Sequence, residues 1–135
     1  MATAKQAAAK NLCVVTGTQR HHQRSYVESY KKIMEGLIGE ITGGTVYWNQ
    51  NMLWYRDRQP GWNDCEYMIK DWVNWKWLSG DHIVEQHVHN IDVFTWFSGL
   101  KPVKAVGFGS RHRRITGDQY DNFSVISQWK WYPYA

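Results

Sequence analysis

Three of the chain's six histidines fall between positions 82 and 89, interleaved with acids in the run Asp81-His82-Ile83-Val84-Glu85-Gln86-His87-Val88-His89-Asn90-Ile91-Asp92. Placed on a helix, His82, Glu85, His89 and Asp92 follow at spacings of three, four and three. At about 100° per residue they share one narrow stripe. Trp96 continues that stripe, Val84, Val88 and Ile91 take a neighbouring face, and His87 points away from it. Such a stripe on an otherwise apolar helix needs a reason, because buried charge is costly unless paired or used. Three uses are open. The acids and imidazoles can hold the helix to a sheet as satisfied pairs. A carboxylate one turn before a histidine can orient it and tune its charge for proton transfer. Or His82, Glu85 and His89 can converge on a divalent metal and run a hydrolase. The zinc-protease pattern His-Glu-x-x-His is absent, and His87-x-His89 is an i, i+2 pair that does not chelate from one face, so no metal site is expected.

A second concentration of functional side chains lies upstream. Most of the nine Trp and eight Tyr fall between Tyr47 and Trp77, with Arg56 and Arg58 among them. Aromatic rings bury large areas and serve cores and interfaces. Their faces also pack against the C–H faces of pyranoses, while arginine forks onto carboxylates or vicinal oxygens.

The elements that must position these groups follow from local pattern. Residues 3–10 favour helix through their alanines. Leu12-Cys13-Val14-Val15-Thr16, ending at Gly17, reads as a buried parallel strand with Cys13 as a small core residue. Ser25 and Glu28 have the spacing of a capping box, and Tyr26, Val27, Tyr30, Ile33, Met34 and Leu37 give an amphipathic helix stopping near Gly36 or Gly39. Residues 40–49 read as a strand, and residues 50–78 as a long loop turning at Pro60-Gly61. A helix over 80–97 closes at Ser98-Gly99 before Pro102. Strands over 103–109 and 122–131 flank a turn at Gly117-Asp118, with Phe123, Val125, Ser127, Trp129 and Trp131 on one face. The order predicts an α+β fold with a largely antiparallel open sheet and helices on one face. The first helix and strand read as the last piece of an α/β domain whose remainder is absent.

Bulk properties narrow the partners. The net charge of +4 is spread along the chain, and its tightest basic run is only Arg111-His112-Arg113-Arg114. A nucleic-acid footprint needs basic residues gathered on one face, so no nucleic-acid partner is expected. No apolar stretch is long enough for a bilayer, and no signal-peptide pattern follows Met1. Cys13 and Cys65 lie far apart and read as reduced thiols, which suits a cytoplasmic setting; export to a periplasm stays open.

The run Gly80–Gly99 resembles the signature of the Gfo/Idh/MocA oxidoreductases, whose helix reads Asp-x-Gly-x-His-x-x-Asp before a closing glycine. Glu85 stands at the first acid, His87 at the glycine, His89 at the histidine and Asp92 at the last acid; Trp96-Phe97-Ser98-Gly99 matches the exit. Val14-Val15-Thr16-Gly17 with Gln19-Arg20-His21 looks like the exit from a cofactor domain. Gly36-Leu37-Ile38-Gly39-Glu40-Ile41 looks like the family's connection, and Tyr120-Asp121-Asn122-Phe123-Ser124-Val125 like a later strand.

That resemblance implies an NAD(P)-dependent oxidation of a sugar or polyol CH–OH group, or its reverse, with NAD or NADP as cofactor. It implies His89 as the acid/base and Glu85 as its orienting partner. Trp54, Arg56, Arg58, Trp62, His87 and Asp92 are the implied substrate-side residues, with Asp92 also supporting the helix. Gln19 and Arg20 fall at the cofactor side, and a homodimer or tetramer is expected. Two positions depart from the pattern: Glu85 is one methylene longer than the family's Asp, and His87 adds a titratable group where the family has glycine. Neither Gly-x-Gly-x-x-Gly after a strand nor Glu-Lys-Pro occurs. The resemblance thus implies that residues 1–20 are the last helix and strand of a truncated Rossmann dinucleotide-binding domain and residues 21–135 the substrate domain, a fragment at both ends with an atypical tail after Gln128. A non-catalytic carbohydrate-binding or dimerisation module is the competing reading, and redox-assisted glycoside cleavage is a variant of the first.

Overall fold

The computed structural model describes residues 2–131, and the tail beyond Trp131 lies outside the described residues. Alanine-rich α1 spans Ala2–Ala9. A 3₁₀ turn at Gln19–His22 leads into α2, Arg24–Met34, which ends in a turn at Gly36 and Gly39, both with positive φ. The capping-box reading of Ser25 is corrected. The N-cap is Gln23 with no side-chain cap, Ser25 lies inside the helix, and Glu28 instead pairs with Lys31 at 2.9 Å.

Three short pieces occupy the region read as loop: α3 (Asp64–Lys70), a 3₁₀ turn (Trp72–Asn74) and α4 (Lys76–Ser79). None is long enough to show a helical period. Asn63 caps α3 by accepting from the Glu66 amide at 2.9 Å. A π-turn at Ile83–His87 then runs into α5, Val88–Ser98, which stops at left-handed Gly99. The chain closes with β1, Leu100–Ser110, and β2, Asn122–Trp131. They pair antiparallel from Leu100↔Trp131 to Ser110↔Asn122, with an irregularity between Pro102 and Lys104, where proline has no amide to give.

The class is α+β, with a two-stranded antiparallel sheet among the described residues. Two expected strands are corrected. Residues 12–16 have no ladder partner there, and Cys13 is exposed rather than in a core. Residues 40–49 join no ladder either. They lie across α5, where Asn90 donates to the Tyr47 carbonyl at 2.6 Å, Trp48 meets His89 at 5.4 Å and Gly44 runs against the Phe94 ring. Helix side chains take the place a strand edge was expected to fill. α5 covers one face of the ribbon through Phe94 and Trp129, 4.9 Å apart, while Phe108 and Ile126 on the other face remain more than 70% exposed.

What the fold buries most deeply is polar. Val73 is the one buried apolar side chain among the described residues, beside Asp71, Asn74, Ser79, His82 and Gln119. Asp71 accepts from the Arg56 amide (2.9 Å), Asn74 Nδ2 (2.8 Å) and Thr116 Oγ1 (2.8 Å). The Asn74 carbonyl accepts from the Asp118 and Gln119 amides, and Gln119 Nε2 donates to Ser79 Oγ at 2.6 Å. Asp118 receives the Lys76 amide at the start of α4. This knot ties residues 71–81 to the loop between β1 and β2, and so sets the position of the histidine helix. Buried polar groups paired in this way act as a specific clasp, although the Gln119 Oε1 is left without a hydrogen-bond partner among the described residues.

Candidate functional site

The helix of histidines does not keep the expected stripe. Gly80 and Asp81 both take left-handed backbone, Asp81 with φ 69°, and its carboxylate receives the His82 amide (2.7 Å) and the Tyr120 amide (3.1 Å). The Val88 amide then donates to the Ile83 carbonyl five residues back. One extra residue in that turn rotates everything after it relative to an unbroken α-helix. His82 and His87, which an α-helix would hold on different faces, come together with ring centres 5.1 Å apart. The expectation that His87 points away from the polar stripe is thereby corrected.

The two imidazoles gather around Phe123 of β2, at 6.4 Å and 5.3 Å. Arg114 Nη2 donates to His82 Nδ1 at 3.2 Å. Guanidinium has no acceptor, so Nδ1 carries the lone pair and neutral His82 holds its proton on Nε2. Burial, then the charge of Arg114, then His87, push the His82 pKa down to about 4 against the opposing pull of Asp121. Burial lowers His87 as well. Arg114 itself is held where Asp121 collects three successive amides, those of His112 (2.9 Å), Arg113 and Arg114 (3.1 Å). Partial burial opposes ionisation of Asp121, but those amides and Asn122 hold its pKa below the ordinary value. The Arg114 Nε is buried without a hydrogen-bond partner among the described residues.

His82, His87 and Arg114 line a cleft of about 1280 Å³ together with Tyr47, Trp48 and the β2 residues Asn122, Ser124 and Ser127. It offers neutral imidazoles, the guanidinium groups of Arg113 and Arg114, amide and hydroxyl groups, and aromatic faces. That inventory suits a small polyhydroxylated molecule.

Depressed titration of His82 has a measurable signature. An unfolded chain protonates this histidine near pH 6.5, whereas the fold admits the proton only near 4. Stability therefore falls as pH drops from 6.5 to 4 and levels off below. The full effect is on the order of 3 kcal/mol. Urea unfolding at pH 7 and at pH 4.5 should show a larger acid loss in the wild type than in His82→Gln; equal losses would remove His82 as the source.

The other expected site residues are distributed elsewhere. Asp92 pairs with His21 Nε2 at 2.8 Å, and the His21 ring stacks on Trp96 at 4.2 Å, fastening the first 3₁₀ turn to α5. His89 stands behind Trp48, and its buried Nδ1 has no partner among the described residues. Glu85 receives the Gln86 side chain, and no hydrogen bond joins it to His89 among the described residues. His82, Glu85 and His89 do not converge; among the described residues no three potential metal ligands do. Arg58 closes its own loop on the Trp62 carbonyl (2.7 and 3.0 Å) and Asp64 (2.6 Å). Trp54, Arg56 and Trp62 do come together, away from the cleft. Gln19 is exposed, while Arg20 bonds the Tyr26 hydroxyl and lies over Tyr26 (4.9 Å) and Trp48 (5.4 Å).

Arg114 was missed as a site residue because its basic run was read only for charge, and the His82–His87 pair because a π-turn has no sequence signature in a periodicity of 3.6. Among the described residues no helix is long and apolar enough to cross a membrane. No family model, curated protein or solved structure matches the chain.

Proposed function

We propose that this chain supplies the substrate side of an NAD(P)-dependent oxidoreductase acting on a CH–OH group of a sugar or polyol. The observation that carries the reading is the cleft: imidazoles kept neutral at neutral pH share it with the Tyr47 and Trp48 rings and the polar groups of β2. Neutral imidazole can accept the proton that an alcohol loses as it becomes a carbonyl. In this reading His87 moves that proton, Arg114 orients an oxygen through its unpartnered Nε, and Trp48 takes a sugar face. His89, the acid/base the family resemblance implies, supports the wall through Trp48, and Glu85 stands one turn from it without a hydrogen bond between them.

The dinucleotide is not fitted by the described residues. No atom lies within 4 Å of where a Gly17 side chain would stand, so no backbone cradle closes there. The following element is a four-residue 3₁₀ turn rather than a helix N-terminus, and Arg20 is engaged by rings. No step is routed through residues 12–22. NAD or NADP belongs, in this proposal, to a dinucleotide-binding domain of which residues 1–20 are the trailing piece. Residues 21–135 form the substrate domain, the ribbon extends into a larger antiparallel sheet, and copies associate through it.

The test is hydride transfer by the longest native form of the gene product. Incubated with NAD or NADP and a panel of sugars and polyols, it is expected to form NADH or NADPH only when a sugar is present. Sugar binding with no hydride transfer would overturn the oxidoreductase and favour a carbohydrate-binding module, a reading to which the unpaired Glu85 and His89 already lend weight.

A further inference from the structure

We propose a second ligand site, separate from the cleft, that takes an acidic saccharide between Trp54, Trp62, Trp72, Arg56 and Lys70. These five line a hollow of about 520 Å³ that shares no residue with the cleft. Its rings are open to solvent rather than spent on a core: Trp54 is 46% and Trp72 41% exposed. They meet edge to face at 6.2 Å, so each keeps an accessible face for C–H groups of a sugar ring.

The charges set the class of ligand. Lys70 Nζ lies 4.0 Å over Trp62 and is matched by Glu66 at 2.8 Å. The Arg56 guanidinium lies 5.6 Å over Trp54 and has no acidic or hydrogen-bonding partner among the described residues. One positive charge is thus left over, beside indole faces, in the geometry a uronate carboxylate fills bidentately. No aliphatic side chain lines the hollow, which disfavours an apolar peptide.

The site is also held in place before any ligand arrives. The Arg56 amide donates to buried Asp71, and the Trp54 carbonyl accepts from buried Asn74 at 3.1 Å. Trp72 opens the 3₁₀ turn that carries buried Val73 and Asn74. The polar knot therefore fixes the backbone of three of the five residues, and rings held this way lose little freedom on binding.

This site does not depend on the oxidoreductase reading, and its test is binding. The full chain is titrated calorimetrically with a galacturonic acid tetrasaccharide and, separately, with the uncharged tetrasaccharide of cellulose. The acidic sugar is expected to bind at least about tenfold tighter, the worth of one hydrogen-bonded ion pair. Arg56→Gln, whose side chain holds no fold contact beyond Trp54, is expected to abolish that preference. Trp62→Ala is expected to weaken both sugars. Equal binding of the two sugars, a preference that survives Arg56→Gln, or displacement by a single-stranded oligonucleotide in preference to the uronide would each overturn the proposal.

Discussion

Gly117→Ala is expected to leave the chain largely unfolded. Gly117 has φ 70°, and a Cβ there would stand 1.9 Å from the Asn74 carbonyl oxygen and 2.5 Å from its carbon. The obstacle is backbone, and it is not free to retreat. Asn74 O accepts from the Asp118 amide at 3.0 Å and the Gln119 amide at 3.3 Å, while its side chain is bonded to Trp54 and Asp71. Relief requires opening the knot, at a cost above about 4 kcal/mol, comparable to the whole stability of a small domain. Gly61→Ala separates strain from collision. Its φ of 87° is also positive, but nothing lies within 4 Å, so the cost should be near 1 kcal/mol. Urea unfolding followed by tryptophan fluorescence reads both. Equal midpoints for the two variants would show that the Asn74 approach does not constrain the fold.

Asp71→Ala is expected to cost about 3–5 kcal/mol, because one buried and two part-buried donors lose their fully buried acceptor together. Asp71 is fully buried, and its two oxygens divide the work. Oδ1 takes the Arg56 amide and Asn74 Nδ2, and Oδ2 takes the Thr116 hydroxyl. Asp71→Asn should recover most of the loss. Its carbonyl can replace Oδ1, and its NH₂ can donate to Thr116, whose hydroxyl accepts as readily as it donates. Chemical denaturation of the three proteins decides it. An asparagine variant as unstable as the alanine variant would show that the negative charge, not the hydrogen-bond pattern, is what the knot requires.

The parts of the fold that were legible in sequence are those with local signals. Alanines mark α1, period and glycines mark α2 and its end, and alternation marks β1 and β2. Non-local determinants were not legible. Whether Leu12–Thr16 or residues 40–49 form strands depends on a neighbouring edge, and apolar, β-prone residues alone do not supply one. The helix over 80–97 was correctly located, but its facing was not. A stripe drawn at 3.6 residues per turn from His82 to Asp92 crosses the π-turn, so His82 leaves with His87 toward the cleft while His89 and Asp92 turn to Trp48 and His21. Trp54, Arg56 and Trp62, named together as substrate-side residues, line one hollow, which shares no residue with the cleft. Arg58, of the same type and only two residues from Arg56, is consumed by its own loop.

The polar clasp has a consequence for the order in which the molecule assembles. Its longest-range bonds join groups 40 to 45 residues apart, such as Gln119 to Ser79 and Thr116 to Asp71, whereas α2, α3 and α5 need only near neighbours. Closing so long a loop costs chain entropy before any bond returns it, so the helices and the β1–β2 hairpin form first and the clasp shuts last. Until then the loop between the strands swings free and Arg114 has not reached His82, whereas Arg56 and Trp54 already have their shorter-range anchors in Asp71 and Asn74. The cleft thus takes its final form only as the clasp shuts, after the backbone around Trp54 and Arg56 is already held.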